Sequence, residues 1–313
     1  MSVEDSRAEE RAFRWPPRDP GEDAREGLPG VEIEAKPVPA RAGVLEAFEE
    51  AWIGVRSRSF RRRAELAGWV PTSLDERCWR CGTGVGAHEA DGDGCASCRE
   101  ATLPWGRCVC LGDDDGVLGE AIRDVKFAAW RLVGAQLGRA LGERLLEQFE
   151  RYEIPPGQVA IVPVPTSRRH RVTRGIDHTL VIARAAAARS GAVVVRGLSR
   201  RHGPSQTSMP RSRRAANVRG VFRRRREASV LGGAGLVVLL DDIRTTGATL
   251  IEASRTLRGA RRASQRGLIP RERLWVSSLA VVPDPRRKAV SAEIGVVLAG
   301  GGSRDGSSGA RQS

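Results

Sequence analysis

The stretch from Leu236 to Leu250, reading LVVLLDDIRTTGATL, constrains this chain more than any other. A run of Val and Leu meets two acids, then a short loop of Thr and Gly, then residues able to open a helix. That succession predicts strand, tight loop and helix. The start of a helix presents backbone N–H groups without intrahelical partners and the positive end of the helix dipole, which together suit a phosphate. Thr245, Thr246, Gly247, Ala248 and Thr249 are small, Gly247 permits a positive φ, and the three hydroxyls can donate to phosphate oxygens. Asp241 and Asp242 end the strand, where carboxylates can accept hydrogen bonds from vicinal hydroxyls or approach a Mg²⁺ held by a diphosphate. A ribose carrying a 5′-phosphate satisfies both halves at once.

The rest of the chain bounds what surrounds that stretch. Its 313 residues suffice for one or two domains with a substantial core, and with aromatics at 4% that core has to be built mainly from Leu, Val, Ile and Ala. The formal charge of +14 is unevenly spread. Residues 1–50 hold 7 Lys and Arg against 13 Asp and Glu, whereas 168–226 hold 17 Arg against a single acid, Asp177. That basic block makes polyanions the natural partners. No apolar stretch approaches the roughly 20 residues a membrane span needs, and the N-terminus is charged without a hydrophobic signal core, so a cytoplasmic protein is expected.

In a reducing compartment six cysteines argue for metal before disulfides. Cys78, Cys81, Cys95 and Cys98 follow C-x2-C-x13-C-x2-C, a spacing whose two short-looped thiolate pairs can close a tetrahedral shell around zinc. Cys108 and Cys110 lie just beyond, either as replacements for one of the four or as spare thiols, and His88 between the pairs reads as a loop residue.

Around these motifs the periodicity alternates. Residues 1–42 lack a sustained period and read as a disordered acidic arm; Leu45, Phe48, Trp52, Val55 and Phe60 then recur at helical spacing between Val44 and Leu66. From Gly116 to Phe149 two helices broken near 128–131 are expected, with Lys126, the only lysine between Lys36 and Lys288, at the break. Val159 to Val164 predicts a buried strand, Asp177 to Arg189 a helix, Val193 to Leu198 a second strand, and Leu274 to Val282 a last one, while the helix after the opening motif is expected to run to about Arg262. The basic stretch from Ser199 to Arg226 has few core residues and suits a mobile loop or binding arm. Strands alternating with helices imply an α/β fold with a mostly parallel sheet and a ligand at the carboxyl ends of its strands.

The segment from Val238 to Thr249 resembles the motif by which type I phosphoribosyltransferases bind phosphoribosyl pyrophosphate (PRPP), in which two acids contact the ribose hydroxyls and the TTG-type loop takes the 5′-phosphate. It is distinct from the Walker loop, because Gly-Lys-Ser/Thr is missing. The order of the cysteine pairs, Lys126-Phe127, Pro163-Val164-Pro165, Arg174-Gly175, Gln206, Arg214, Asn217, Phe222 and the DDIRTTGAT run is similar to that of the ComF/GntX family, from about Cys78 to Val282. The chain departs from the family pattern at Ile176, Asp177 and His178, where Phe, Asn and Gln are usual, and at Met209 and Arg213, where Leu and an acid are common.

This resemblance implies a type I phosphoribosyltransferase-like parallel sheet flanked by helices, at 116–285, preceded at 43–115 by a helix and a small four-cysteine zinc module and followed at 286–313 by a mostly disordered tail. It implies PRPP or a related 5′-phosphoribosyl ligand, carried with Mg²⁺, on Asp241, Asp242, Thr245, Thr246, Gly247, Ala248, Thr249 and Lys126. It gives Arg174, Gln206, Arg214 and Asn217 the catalytic positions, and structural zinc to Cys78, Cys81, Cys95 and Cys98. The implied role is handling of single-stranded DNA during DNA uptake and competence, with a DNA-uptake or helicase-type protein as partner. Two alternatives stand beside it: an active phosphoribosyltransferase joining ribose 5-phosphate to a nitrogen base, and a sensor of PRPP without chemistry.

Overall fold

The computed structural model describes residues 59–86, 88–127, 131–166, 177–201, 218–259 and 269–283. The expected acidic arm, the first part of the expected helix from Val44, the basic loop from Ser167 to Gly175 and the tail at 286–313 lie outside them.

The frame is an α/β arrangement around a five-stranded parallel sheet. Its strands are β3 (Arg107–Asp113), β4 (Val159–Pro163), β5 (Val193–Val194), β8 (Leu236–Arg244) and β9 (Leu274–Val281). They lie side by side in the order β3-β9-β8-β4-β5. Parallel strands covered on both faces read as continuous apolar runs, and β4, β9 and the first five residues of β8 are buried throughout. Alternation still sorts the side chains: Leu236, Val238 and Leu240 enter one core, Val237 and Leu239 the other.

The first core holds four helices: α1 (Phe60–Leu66), α3 (Gly116–Phe127), α4 (Arg131–Arg151) and α5 (His178–Ser190). The break expected between α3 and α4, near 128–131, falls largely outside the described residues. Helices α4 and α5 touch backbone to backbone along one stripe of small residues, for an added Cβ at Gly138 would lie 2.5 Å from the Ile182 carbonyl oxygen and one at Gly142 2.5 Å from that of Ala186.

The second core lies on the opposite face and joins the cysteine segment to the sheet. It contains all four paired cysteines, Leu103 and Trp105, together with Val162, Leu239 and Val276. Short strands β1 (Ala90–Asp91) and β2 (Gly94–Cys95) form a hairpin in that segment, followed by the one-turn helix α2 (Ala96–Glu100). Also on this face are the antiparallel pair β6 (Leu198–Arg200) and β7 (Phe222–Arg224), and α6 (Ala248–Leu257).

Four differences from the sequence expectations have physical causes. Strand β3 was hidden within a run whose cysteines read as metal chemistry, RCVCLGD, yet it forms the sheet edge beside β9. The strand expected at Val193 to Leu198 is two pieces, since β5 pairs with β4 whereas β6 turns away to pair with β7. The motif strand continues past Asp242 to Arg244, because Ile243 and Arg244 still find register partners in Ala280 and Val281. Helix α6 stops at Leu257 rather than near Arg262, with Gly259 at φ 76° just beyond it.

Candidate functional site

Strand β8 delivers Asp241 and Asp242 to the carboxyl half of the sheet, and the loop of Thr245, Thr246 and Gly247 leads directly into α6. Gly247 is the N-cap at φ 75°, ψ 1°, and has no side chain to cap the helix; the Thr246 hydroxyl accepts from the Ala248 N–H at 3.4 Å, and the first turn opens onto the loop. Thr245 and Thr246 are exposed, Ala248 and Thr249 half-buried. A small anion placed at this loop meets N–H donors and hydroxyls of the kind that bind phosphate.

The two acids are not equivalent. Asp242 is 9% exposed and its Oδ2 receives the Lys126 ammonium at 3.1 Å and the His178 Nε2 at 2.9 Å. Lys126 arrives from the end of α3 and His178 from the first position of α5, so two helices of the first core end at one carboxylate. Burial pushes the Asp242 carboxyl up, but the hydrogen bond from His178 and the charges of Lys126 and His178 outweigh burial and hold it at about 2. Asp241 makes no ion pair among the described residues and accepts only from the Asp242 N–H at 3.0 Å; burial, reinforced by the charge of Asp242, pushes it up to about 7. The site therefore contains one fixed carboxylate and one that changes charge near neutrality.

His178 was not among the sequence candidates. It stood out only as a departure from the family pattern, and its position one residue after the N-cap Asp177 aims it at the motif strand. Its Nδ1 is buried without a hydrogen-bond partner among the described residues. Arg200 was missed as well. It lies at the end of β6 over the Phe222 ring, 5.7 Å from the centroid; burial lowers its pKa while the charge of Asp241 raises it. The structure thus gathers Lys126 with Asp242, next to the 245–249 loop, whereas Arg174, Gln206, Arg214 and Asn217 lie outside the described residues.

The candidate metal centre is made by the four paired cysteines, all buried, whose sulfur atoms lie within 4.8 Å of one another. Cys78 and Cys98 are 3.8 Å apart and Cys81 and Cys95 3.7 Å. A tetrahedron with Zn–S arms of ~2.3 Å has edges of ~3.8 Å, so the donor set fits zinc. The clustered sulfurs affect one another unequally: hydrogen bonding with Cys78 and Cys98 lowers the Cys81 thiol, while hydrogen bonding with Cys78 and Cys81 raises that of Cys98. A divalent metal here would let all four ionise and tie the segment to the sheet.

Geometry separates the other candidates from this shell. Cys110 donates to the Gly82 carbonyl at 3.6 Å and accepts from Arg77 at 3.9 Å, burial raises both the Cys108 and the Cys110 thiol, and His88 is exposed. Gly82, at φ 74°, makes the turn after Cys81, and a Cβ there would sit 2.9 Å from the Cys108 sulfur.

No protein-family model matches the chain, and no curated protein matches it in sequence. No helix among the described residues is long and apolar enough to cross a membrane.

Proposed function

We propose that the chain is a ComF-like protein that binds PRPP, or a related 5′-phosphoribosyl ligand with Mg²⁺, and acts in handling single-stranded DNA during DNA uptake. The observation that carries this reading is the pairing of a helix start at Gly247, behind a Thr-Thr loop, with two adjacent carboxylates, one of them fixed by Lys126 and His178. In this reading the 5′-phosphate lies on Thr245 to Thr249 and the ribose hydroxyls on Asp241 and Asp242. Mg²⁺ arrives with the diphosphate, whose charge Arg174 shares.

The second half of the reading rests on charge. The segment 168–226 carries 17 Arg, enough to contribute the phosphate contacts that dominate non-specific nucleic-acid affinity. Binding of single-stranded DNA is then expected to fall steeply between low and moderate salt. The test is strand binding by the full chain across that salt range, with pyrophosphate release from PRPP measured on the same preparation. Absent or salt-insensitive strand binding contradicts the DNA role. Release that is faster with one nucleobase than with none makes the chain a phosphoribosyltransferase instead.

A further inference from the structure

A second cleft, of about 420 Å³, lies where the cysteine segment crosses the edge of the sheet. It opens at the amino end of β3, whereas Asp241 and Asp242 sit toward the carboxyl end of β8 in the same parallel sheet, so the two places are separate. Its walls include Asp75, Trp79, Arg107, Gln148, Arg151 and Tyr152.

Three features of this cleft point to a ligand. The first is a cation held among aromatic rings: the Arg107 guanidinium lies 4.3 Å from the Tyr152 centroid, 5.5 Å from Trp79 and 5.6 Å from Trp275, and donates a hydrogen bond to the Tyr152 hydroxyl. Among the described residues no carboxylate pairs with Arg107 or with the exposed Arg151 beside it, although Asp75 stands exposed at the rim. The second is Gln148, only 2% exposed, which lines the cleft and carries a carboxamide that can both donate and accept. The third is rigidity: Trp79 is fixed by its indole N–H bond to the Asp91 carbonyl at 3.0 Å, and Tyr152 stands edge-on to Trp275 with centroids 5.7 Å apart.

Flat faces, an amide that both donates and accepts, and two arginines without acidic partners match the parts of a nucleotide. Aromatic faces take a base, an amide reads its edge, and guanidinium forks take phosphate. The volume falls within the range of small-ligand sites. We propose that this cleft is a nucleotide site, seating a nucleobase against Tyr152 and Trp79 with its edge on Gln148 and its phosphate on Arg107 and Arg151. The nucleotide is either free or a unit of a single strand, and it binds apart from the ribose-phosphate loop.

The full chain is titrated with deoxyadenosine monophosphate and, separately, with a short oligodeoxyadenylate, as wild type, Tyr152→Ala, Gln148→Leu and the double variant Asp241→Asn with Asp242→Asn. Tyr152 is 42% exposed and can be removed without opening the core. Tyr152→Ala and Gln148→Leu are each expected to weaken binding by about tenfold, the scale of one lost base contact, while both keep their zinc and their response to PRPP. The double Asp variant is expected to bind the nucleotide like the wild type. Competition by the monophosphate identifies a free nucleotide, and binding of the oligonucleotide alone identifies a strand. Nucleotide affinity that ignores Tyr152→Ala and Gln148→Leu but falls in the double Asp variant places the nucleotide at Asp241 and Asp242 and overturns the proposal. So does the absence of binding by either probe.

Discussion

The unequal acids of the β8 loop lead to a pH dependence with a definite sign. Asp241 is raised to about 7, with burial as the larger cause and the neighbouring Asp242 charge as the second. A hydroxyl donating to this carboxylate prefers its ionised form, so ligand affinity should rise with pH. With a midpoint near neutrality, about a tenth of Asp241 is ionised one pH unit below it and about nine-tenths one unit above. The ribose-phosphate ligand should therefore gain roughly tenfold in affinity between about pH 6 and pH 8, or ~1.4 kcal/mol. Asp242, held at about 2, stays ionised throughout and adds no slope. PRPP has phosphate protons of its own, so the measurement is calorimetric titration across that range for the wild type and Asp241→Asn side by side. The wild type should show the steeper rise, and the difference between the profiles belongs to Asp241. Parallel profiles would refute the assignment. Stability runs the opposite way: the folded chain keeps the Asp241 proton above the unfolded value of 3.8, so this group's contribution falls as pH rises from about 4 to 7.

Further outcomes follow from packing and from the thiolate shell. Metal analysis should find a single zinc per chain, lost in Cys81→Ser and retained in Cys110→Ser, because Cys110 bonds to Gly82 rather than joining the shell; loss in both variants would count against the four-thiolate assignment. On α4, Gly138→Ala and Gly142→Ala place a methyl 2.5 Å from a backbone oxygen of α5, whereas at Gly134 the nearest atoms are valine methyls at 3.3 Å. A Gly→Ala change inside a helix gains about 1 kcal/mol of propensity, while overpacking costs about 1–3 kcal/mol. Thermal melts should show Gly134→Ala unchanged or stabilised and the other two lowered by a few degrees, and equal behaviour of all three would contradict the close helix contact. Lys126→Met removes the ammonium from Asp242, so the Asp242 pKa, followed by carboxyl NMR, should rise from about 2; an unmoved value would sever that contact.

The motif strand, its loop and its helix were legible because their signals are local: an apolar run, paired acids, small residues and a glycine at φ 75°. The cysteine shell was legible for the same reason, since the two C-x2-C pairs carry their own spacing. Strand β3 was not, because in RCVCLGD the cysteines compete with the strand pattern and the pairing partner, β9, is far away in sequence, as Cys108 opposite Val276 shows. His178 and Arg200 were not legible as site residues either. Each is an ordinary polar residue at the end of its own element, and only the crossing of α5 and the β6–β7 pair over β8 brings them toward Asp241 and Asp242. The aromatic cleft is the extreme case, with Trp79, Arg107, Tyr152 and Trp275 drawn from four separate elements or loops and sharing no spacing.

The central claim is that the stretch from Asp241 to Thr249 holds a ribose phosphate. Calorimetric titration of the full chain with PRPP and Mg²⁺, comparing the wild type with Asp241→Asn and Asp242→Asn together, tests it most directly. Saturable binding by the wild type that the double variant loses is the predicted result. Unchanged PRPP affinity in the double variant, with the fold and the zinc content intact, would contradict it.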